Sequence, residues 1–215
     1  MLFEDATVVS TGARAVNGGK GVFTPLTAAA KIGPDVNVNS GEEDQTMPIS
    51  MYHASVPVFL QLLGGLKGVI EKGEAAATAK KWEENTLLNW RLYPDMFTFA
   101  RQVRQASEHA FGAGRAAGVA PPELPAIDNS FAEMKGRIDK TIDFLKGLRA
   151  DQLDGREDAQ VTITQGGQPR NFRAQVYLYH LAMPNFYFHI TTAYNILRSL
   201  GIDIGKRDFM GQMPS

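Results

Sequence analysis

The chain has 215 residues, of which 44% are hydrophobic and 21% are charged, and its formal net charge at pH 7 is −1. These values are typical of a globular domain with one ordinary core; they argue against a nucleic-acid-binding protein, and no apolar run is long enough to span a membrane. Because the sequence contains no cysteine, disulfides, thiolate metal sites and a cysteine nucleophile are excluded.

The first 46 residues are predicted to form an irregular extension ahead of the folded domain. Turn-forming segments recur here without a sustained apolar period, as in NGGKG and IGPDVNVNSGEEDQTMP. The opening residues also lack the basic start and continuous apolar stretch of a secretory signal, so a cytoplasmic protein is expected by default. The domain itself is expected to span residues 47–215.

The first helix of the domain is predicted between residues 50 and 72. Apolar residues recur there at helical spacing, and Pro57 is expected to lie in the early part of the helix and to perturb it. Three glycines one turn apart or less, Gly64, Gly65 and Gly68, indicate that a neighbouring helix approaches this one closely.

A second helical region covers residues 86–117 and is divided by Pro94. Because the residue before a proline avoids the α region and a proline suits the first turn of a helix, we expect a short helix ending at Leu92 and a longer one beginning at Pro94. A proline-rich loop, VAPPELPAIDN, follows it. The predicted inward stripe of the longer helix consists of Met96, Phe99, Val103 and Ala106.

The second half of the domain contains two further helices and a hairpin. Ser130 and Glu133 have the spacing of a capping box, which predicts the start of the third helix. The runs AQVTIT and QPRNF flank a Gly-Gly pair and predict a small β-hairpin. A fourth helix is predicted for residues 173–200, ended by Gly201. Four such helices predict an all-α fold, a four-helix bundle with a small hairpin before its last helix.

Two polar residues are predicted where the core of this bundle should lie. His189 shares a helix face with Asn185 one turn earlier, and Asp95 lies beside the apolar stripe of the second helical region. If the carboxylate and the imidazole face each other, burial would raise the pKa of Asp95 while pairing with an imidazolium would lower it, and such opposed effects are typical of acid–base groups. The alternatives are that Asp95 caps a helix start and that His189 is a hydrogen-bonded core residue.

Other polar residues give weaker indications. Tyr194 is expected to be a core residue with one polar end, and Arg207, in the C-terminal tail, either binds an anion, pairs with Asp95 or is simply solvated. His180 and His189 are nine residues apart and are not expected to share a metal. His53 and His109 are expected near helix surfaces and receive no role.

Four segments resemble an uncharacterised domain-of-unknown-function family within the DinB/YfiT-like four-helix-bundle superfamily. They occur in order from about residue 47 to residue 211: ISMYHASVPVFLQLLGGL, RLYPDMF, AMPNFYFHITTAYNILRSLG and GKRDFMG. The resemblance implies a DinB-like bundle, a homodimer and a site at the centre of the bundle. In the metal-binding members of the superfamily that the chain resembles, a histidine of the second helix and a His-x-x-x-His pair on the fourth helix are the expected metal ligands.

In this chain the counterparts of those metal ligands are Asp95, Asn185 and His189. Because an asparagine is a poor ligand for zinc or nickel, we expect a small molecule to bind in a central aromatic-lined pocket without a tightly held metal, contacted by these three residues together with Tyr194 and Arg207. The first alternative is a metal-dependent hydrolase or thiol transferase, with any divalent metal held by Asp95 and His189. The second is a structural dimerisation module, and whether the protein is an enzyme stays open.

Overall fold

The computed structural model of the protein describes residues 49–124 and 129–214. The irregular extension predicted for residues 1–46 lies outside the described residues. The described helices and strands are, in chain order, α1 (Val56–Ala79), α2 (Glu84–Leu88), α3 (Phe99–Ala110), α4 (Gly112–Ala117), α5 (Phe131–Lys146), α6 (Ala150–Leu153), β1 (Gln160–Gln165), β2 (Gln168–Arg173), α7 (Ala174–Tyr177), α8 (Met183–Ser199) and α9 (Lys206–Met210). None of these helices is both long and apolar enough to cross a bilayer.

The four predicted helical regions form the bundle. They correspond to α1, to α3 with α4, to α5, and to α7 with α8, and the most extensive helix packing joins α3 to α8. Large apolar side chains from all four regions are fully buried between them, among them Phe59, Phe99, Met134 and Phe186. The all-α bundle with a small hairpin before the last helix is therefore confirmed.

Capping side chains decide where two of the helices begin. The Ser130 hydroxyl accepts a hydrogen bond from the Glu133 backbone N–H at 3.1 Å, as the capping box predicts. The predicted start of the longer second helix at Pro94 was wrong, because α3 begins at Phe99. Thr98 caps this helix by accepting from the Arg101 N–H, and the Phe99 N–H donates to the Trp90 carbonyl. The segment around Pro94 is therefore a loop.

The fourth helical region contains a wide turn ahead of its proline. Residues Leu178–Ala182 form a π-helical turn between α7 and α8, and the Met183 N–H donates to the Leu178 carbonyl five residues back. Pro184 follows immediately, in the first turn of α8. A proline has no N–H and crowds the carbonyl four residues before it, so the wider turn accommodates it without ending the helix.

The hairpin and the C-terminal tail follow the predicted patterns. Strands β1 and β2 pair antiparallel around Gly166 and Gly167, whose φ angles of +60° and +76° suit a two-residue hairpin turn. The tail folds back so that α9 packs on α1. A Cβ at Gly65 would overlap the carbonyl oxygen of Phe209, which confirms a close approach at this glycine, whereas Gly64 and Gly68, predicted to mark the same approach, face open space.

Candidate functional site

The buried imidazole of α8 is hydrogen-bonded to an amide of α3. His189 is only 6% exposed and Gln102 is 1% exposed, and the His189 Nδ1 lies 2.7 Å from the Gln102 Oε1. The Gln102 Nε2 in turn donates to the Phe97 carbonyl at 3.3 Å. That second bond fixes the orientation of the amide, because a carbonyl oxygen only accepts. Two helices of the bundle are thus joined through buried polar side chains.

This hydrogen bond also fixes the protonation of His189. Since the Gln102 Oε1 is an acceptor, the His189 Nδ1 must carry the proton, which leaves a lone pair on Nε2. Burial lowers the pKa of His189 from 6.5 to about 4. The imidazole is therefore neutral near pH 7 and held in one tautomer.

A second imidazole stacks on the first. His109, near the C-terminus of α3, is half-buried, and its ring lies parallel to that of His189 within 10°, with the ring centroids 5.4 Å apart. The pKa of His109 is lowered to about 4, chiefly by burial and in addition by the neighbouring His189 and Arg115. Two like charges at this distance disfavour each other, so both rings are neutral at neutral pH.

Aromatic side chains enclose the outer side of the pair. The Phe97 ring lies parallel to His189 within 3° at 6.1 Å between centroids, and Phe188 meets His189 edge to face at 5.3 Å. The guanidinium of Arg101 lies 3.6 Å above the Phe97 ring, where a cation is attracted by the face of the ring. The imidazoles are therefore part of a layered set of planar groups between α3 and α8.

His109 also forms part of the wall of a cleft between α3 and the hairpin. The cleft has a volume of about 370 Å³. Two charged residues of its lining are paired. The Arg115 guanidinium donates to the Glu108 backbone carbonyl at 2.9 Å and lies 3.6 Å from the Glu108 carboxylate. The lining residues are Gln105, Glu108, His109, Arg115, Thr162, Ile163, Thr164, Tyr177 and Leu181.

The structure does not bring the three central residues predicted from the sequence into one cluster. Asp95 is exposed in the loop before α3, and no hydrogen bond or ion pair joins it to His189. The Asn185 side chain is half-buried and donates to the Leu181 carbonyl at 2.7 Å, one turn back in its own helix. Of the three, His189 is buried and has a partner from another helix, Gln102.

The remaining two predicted residues lie towards the C-terminal tail. The Tyr194 hydroxyl is 3.5 Å from the Ile204 carbonyl, and its ring meets Phe209 edge to face at 5.7 Å between centroids. Arg207 is exposed on α9 and lines a surface groove together with Gly65 of α1. Tyr194 is thus a partly buried residue with a polar end, as the sequence indicates.

Sequence reasoning missed Gln102 and His109. Both continue the buried stripe of α3 that contains Phe99 and Ala106, since Gln102 lies three residues after the first and His109 three after the second. A polar side chain within an apolar stripe needs a buried partner, and that was the available signal. The partner itself could not be identified, because His189 lies 87 residues away.

The donor set implied by the superfamily resemblance is incomplete. Within residues 49–124 and 129–214 no three His, Cys, Asp or Glu side chains lie together in a group able to hold a metal ion. The parallel imidazoles of His109 and His189 are stacked face to face, whereas ligands of one metal point their nitrogens at a common centre. The described residues therefore do not fit a closed three-imidazole centre.

Comparison with known proteins identifies the family. Residues 51–210 match the domain of unknown function DUF1993. The chain belongs to the DUF1993 family. The matched segment includes the whole bundle, the hairpin and α9, so it contains the buried Gln102–His189 pair and the cleft.

A solved structure places this DUF1993 protein among DinB-like folds. The crystal structure of a DinB family member from Shewanella denitrificans is similar with a TM-score of 0.68 and 34% sequence identity, over 76% of this chain and 93% of that one. No curated protein gives a significant match. The DinB-like resemblance of the sequence is thereby confirmed.

Proposed function

We propose that this DUF1993 protein binds a small polar molecule in the cleft between α3 and the hairpin, with His109 as the central contact. The observation that carries the proposal is the neutral imidazole of His109 in the cleft wall, backed by the stacked His189. Ligand sites combine a concave surface with a few placed polar groups, and groups with displaced pKa values concentrate there. The cleft between α3 and the hairpin has both properties.

The two imidazoles have different roles in this proposal. Gln102 holds His189 in one tautomer, and His189 supports the ring of His109 from behind. His109 then offers a ligand one N–H donor and one lone pair at neutral pH. The coupled Glu108 and Arg115 add an acceptor and a donor on the same wall. A ligand with both hydroxyl or amine and carbonyl groups matches this wall.

His189 belongs both to the site expected from the sequence and to the proposed cleft, but the residues that contact the ligand differ between the two. A central pocket contacted by Asp95 and Asn185 stays a prediction. The proposed contact is His109, which lies one stacked ring away from His189. The absence of a tightly held metal belongs to the proposal as well.

A fragment screen by ligand-observed NMR tests the proposal. We expect small polar fragments to bind the native protein, to lose binding in His109→Phe and to keep it in His180→Gln, which changes an exposed histidine of the π turn. His109→Phe preserves a planar ring for the stack and removes both nitrogens. Fragment binding that is equal in all three proteins, or no binding to the native protein, would contradict the proposed site.

The second candidate is a metal-dependent hydrolase or thiol transferase. The lone pair left on the His189 Nε2 favours it, because a neutral ring nitrogen is the form that binds metals. Elemental analysis of protein purified without chelator distinguishes the candidates. One equivalent of zinc, nickel or manganese, lost in His189→Phe, would support the enzyme over simple binding. The homodimer and the dimerisation module remain predictions, which sedimentation equilibrium tests directly.

A further inference from the structure

A second cleft lies at the C-terminal end of α1 and shares no lining residue with the His109 cleft. It forms where α1 turns into α2, beside the C-terminus of α8, and its volume is about 430 Å³. Its lining residues are Lys81, Trp82, Glu83, Thr86, Leu87, Trp90 and Leu200. This tryptophan cleft is not needed for the function proposed above.

Both tryptophans of the chain line this cleft. Trp82 is 37% exposed and Trp90 is 44% exposed, although indole rings have a large apolar area that proteins usually cover. Leu87 is buried beneath them, and Leu200 is half-buried at the side. The tryptophan cleft therefore presents an open, mainly apolar surface suited to the apolar body of a ligand.

Lys81 is held in this cleft in a conformation that favours glycine. Its φ is +53°, and among the described residues it is the one non-glycine residue with a positive φ. The Trp82 N–H donates to the Ala77 carbonyl at 2.8 Å and the Lys81 N–H to the Thr78 carbonyl at 3.2 Å, which is the hydrogen-bond pattern of a Schellman motif. Glycine is the usual residue at this position, so the lysine side chain is present despite backbone strain.

Lysine side chains flank the tryptophans of this cleft. The Lys80 ammonium lies 4.5 Å from the centre of the Trp82 ring, and Lys81 lines the cleft itself. Glu83 is the acidic lining residue, whereas the neighbouring Glu84 accepts a hydrogen bond from the Phe131 N–H at 2.6 Å. Two ammonium groups, those of Lys80 and Lys81, thus lie at the tryptophans, and Glu83 is the carboxylate in the cleft lining. An anionic group is the complementary partner.

From these observations we propose that the tryptophan cleft binds a small amphiphilic anion. The apolar body of the ligand lies against the indole rings of Trp82 and Trp90, and its anionic head pairs with the ammonium of Lys81. This role explains why a strained lysine occupies the position. A glycine would relax the backbone, but it would also remove the ammonium that binds the anionic head.

The intrinsic fluorescence of the protein tests this proposal, since its two tryptophans both line the cleft. Three probes with the same alkyl chain are titrated: octanoate and octyltrimethylammonium below their micelle concentrations, and 1-octanol below its solubility limit. We expect saturable changes in emission, with octanoate binding about fivefold more tightly than 1-octanol, as one partly exposed ion pair allows. Octyltrimethylammonium should bind most weakly.

The decisive variant is Lys81→Gly, which is expected to fold at least as stably as the native chain. It should weaken octanoate binding about fivefold and leave 1-octanol binding unchanged. Lys140→Met, at an exposed lysine of α5, is the matched control and should change neither. The proposal is overturned if octyltrimethylammonium binds as tightly as octanoate, if Lys81→Gly leaves the preference for octanoate intact, or if none of the probes changes the emission.

Discussion

Acidification should destabilise the fold through its two stacked imidazoles. The pKa of His189 and that of His109 are both lowered from 6.5 to about 4 in the folded protein, chiefly by burial. Below pH 6.5 the unfolded chain therefore binds protons that the folded chain does not bind. Stability is fully present above pH 6.5 and decreases as the pH falls towards 4.

The size of the effect follows from the displacement of the pKa. One pKa unit corresponds to about 1.4 kcal/mol, so His189 contributes at most about 3 kcal/mol across this interval. His109 acts in the same direction but is half-buried, and solvent screening reduces its share. A total loss of about 2–4 kcal/mol between pH 6.5 and pH 4.5 is a large part of the stability of a typical domain.

Urea unfolding followed by circular dichroism measures this loss at half-unit steps of pH. His189→Phe removes the buried titrating group and keeps a ring for the stack, so its stability should depend less on pH than that of the native protein. It should also be less stable by about 1–3 kcal/mol at pH 7, because the buried Gln102 carbonyl loses its donor. Adding Gln102→Leu to this variant should restore part of that loss.

The matched control is His180→Gln, which changes an exposed histidine and should keep the native dependence on pH. NMR titration of the histidine ring protons gives the two pKa values directly. A native protein whose free energy of unfolding is constant from pH 6.5 to pH 4.5 would refute the reasoning. So would a His189→Phe variant with the same pH dependence as the native chain.

Three further predictions concern stability and use thermal or urea unfolding at neutral pH. Gly65→Ala should lower the free energy of unfolding by about 1–3 kcal/mol, because the added Cβ meets the Phe209 carbonyl. Gly64→Ala, at a position that faces open space, should stabilise α1 by up to about 1 kcal/mol. Equal effects of the two substitutions would contradict the packing of α9 on α1. Lys81→Gly should gain about 1 kcal/mol by relieving its left-handed backbone, and a loss would count against strain there. Ser130→Ala should cost about 1 kcal/mol, and a neutral result would show that the cap of α5 is dispensable.

Local patterns predicted most of the fold. The capping box at Ser130, the Gly-Gly turn of the hairpin and the apolar stripes each depend on residues close in sequence, and each is present in the structure. The start of the second helix was misplaced for a local reason as well. Pro94 and Thr98 are both suitable near a helix start, and the hydrogen bond from Phe99 to Trp90 favours the later one.

The candidate site was less predictable because its contacts cross between helices. A helical pattern indicates that His189 faces the core, but it does not show which residue of α3 lies opposite. That residue depends on the relative rotation and translation of α3 and α8, and the structure has Gln102 there, one turn after Thr98. A helix beginning at Pro94 would have put Asp95 on the bundle side, but Asp95 lies in the loop before α3.

The π-helical turn has a consequence for the fourth helical region as a whole. His189 comes 12 positions after Tyr177, which lies in the cleft wall. A regular α-helix would put their side chains about 120° apart around its axis. A turn that takes up one additional residue reduces that angle to about 20°. Deleting a single residue from Leu178–Ala182 would therefore leave a regular helix with Tyr177 and His189 still about 20° apart, whereas a regular helix that kept every residue would rotate Tyr177, with the hairpin attached to it, away from the imidazoles.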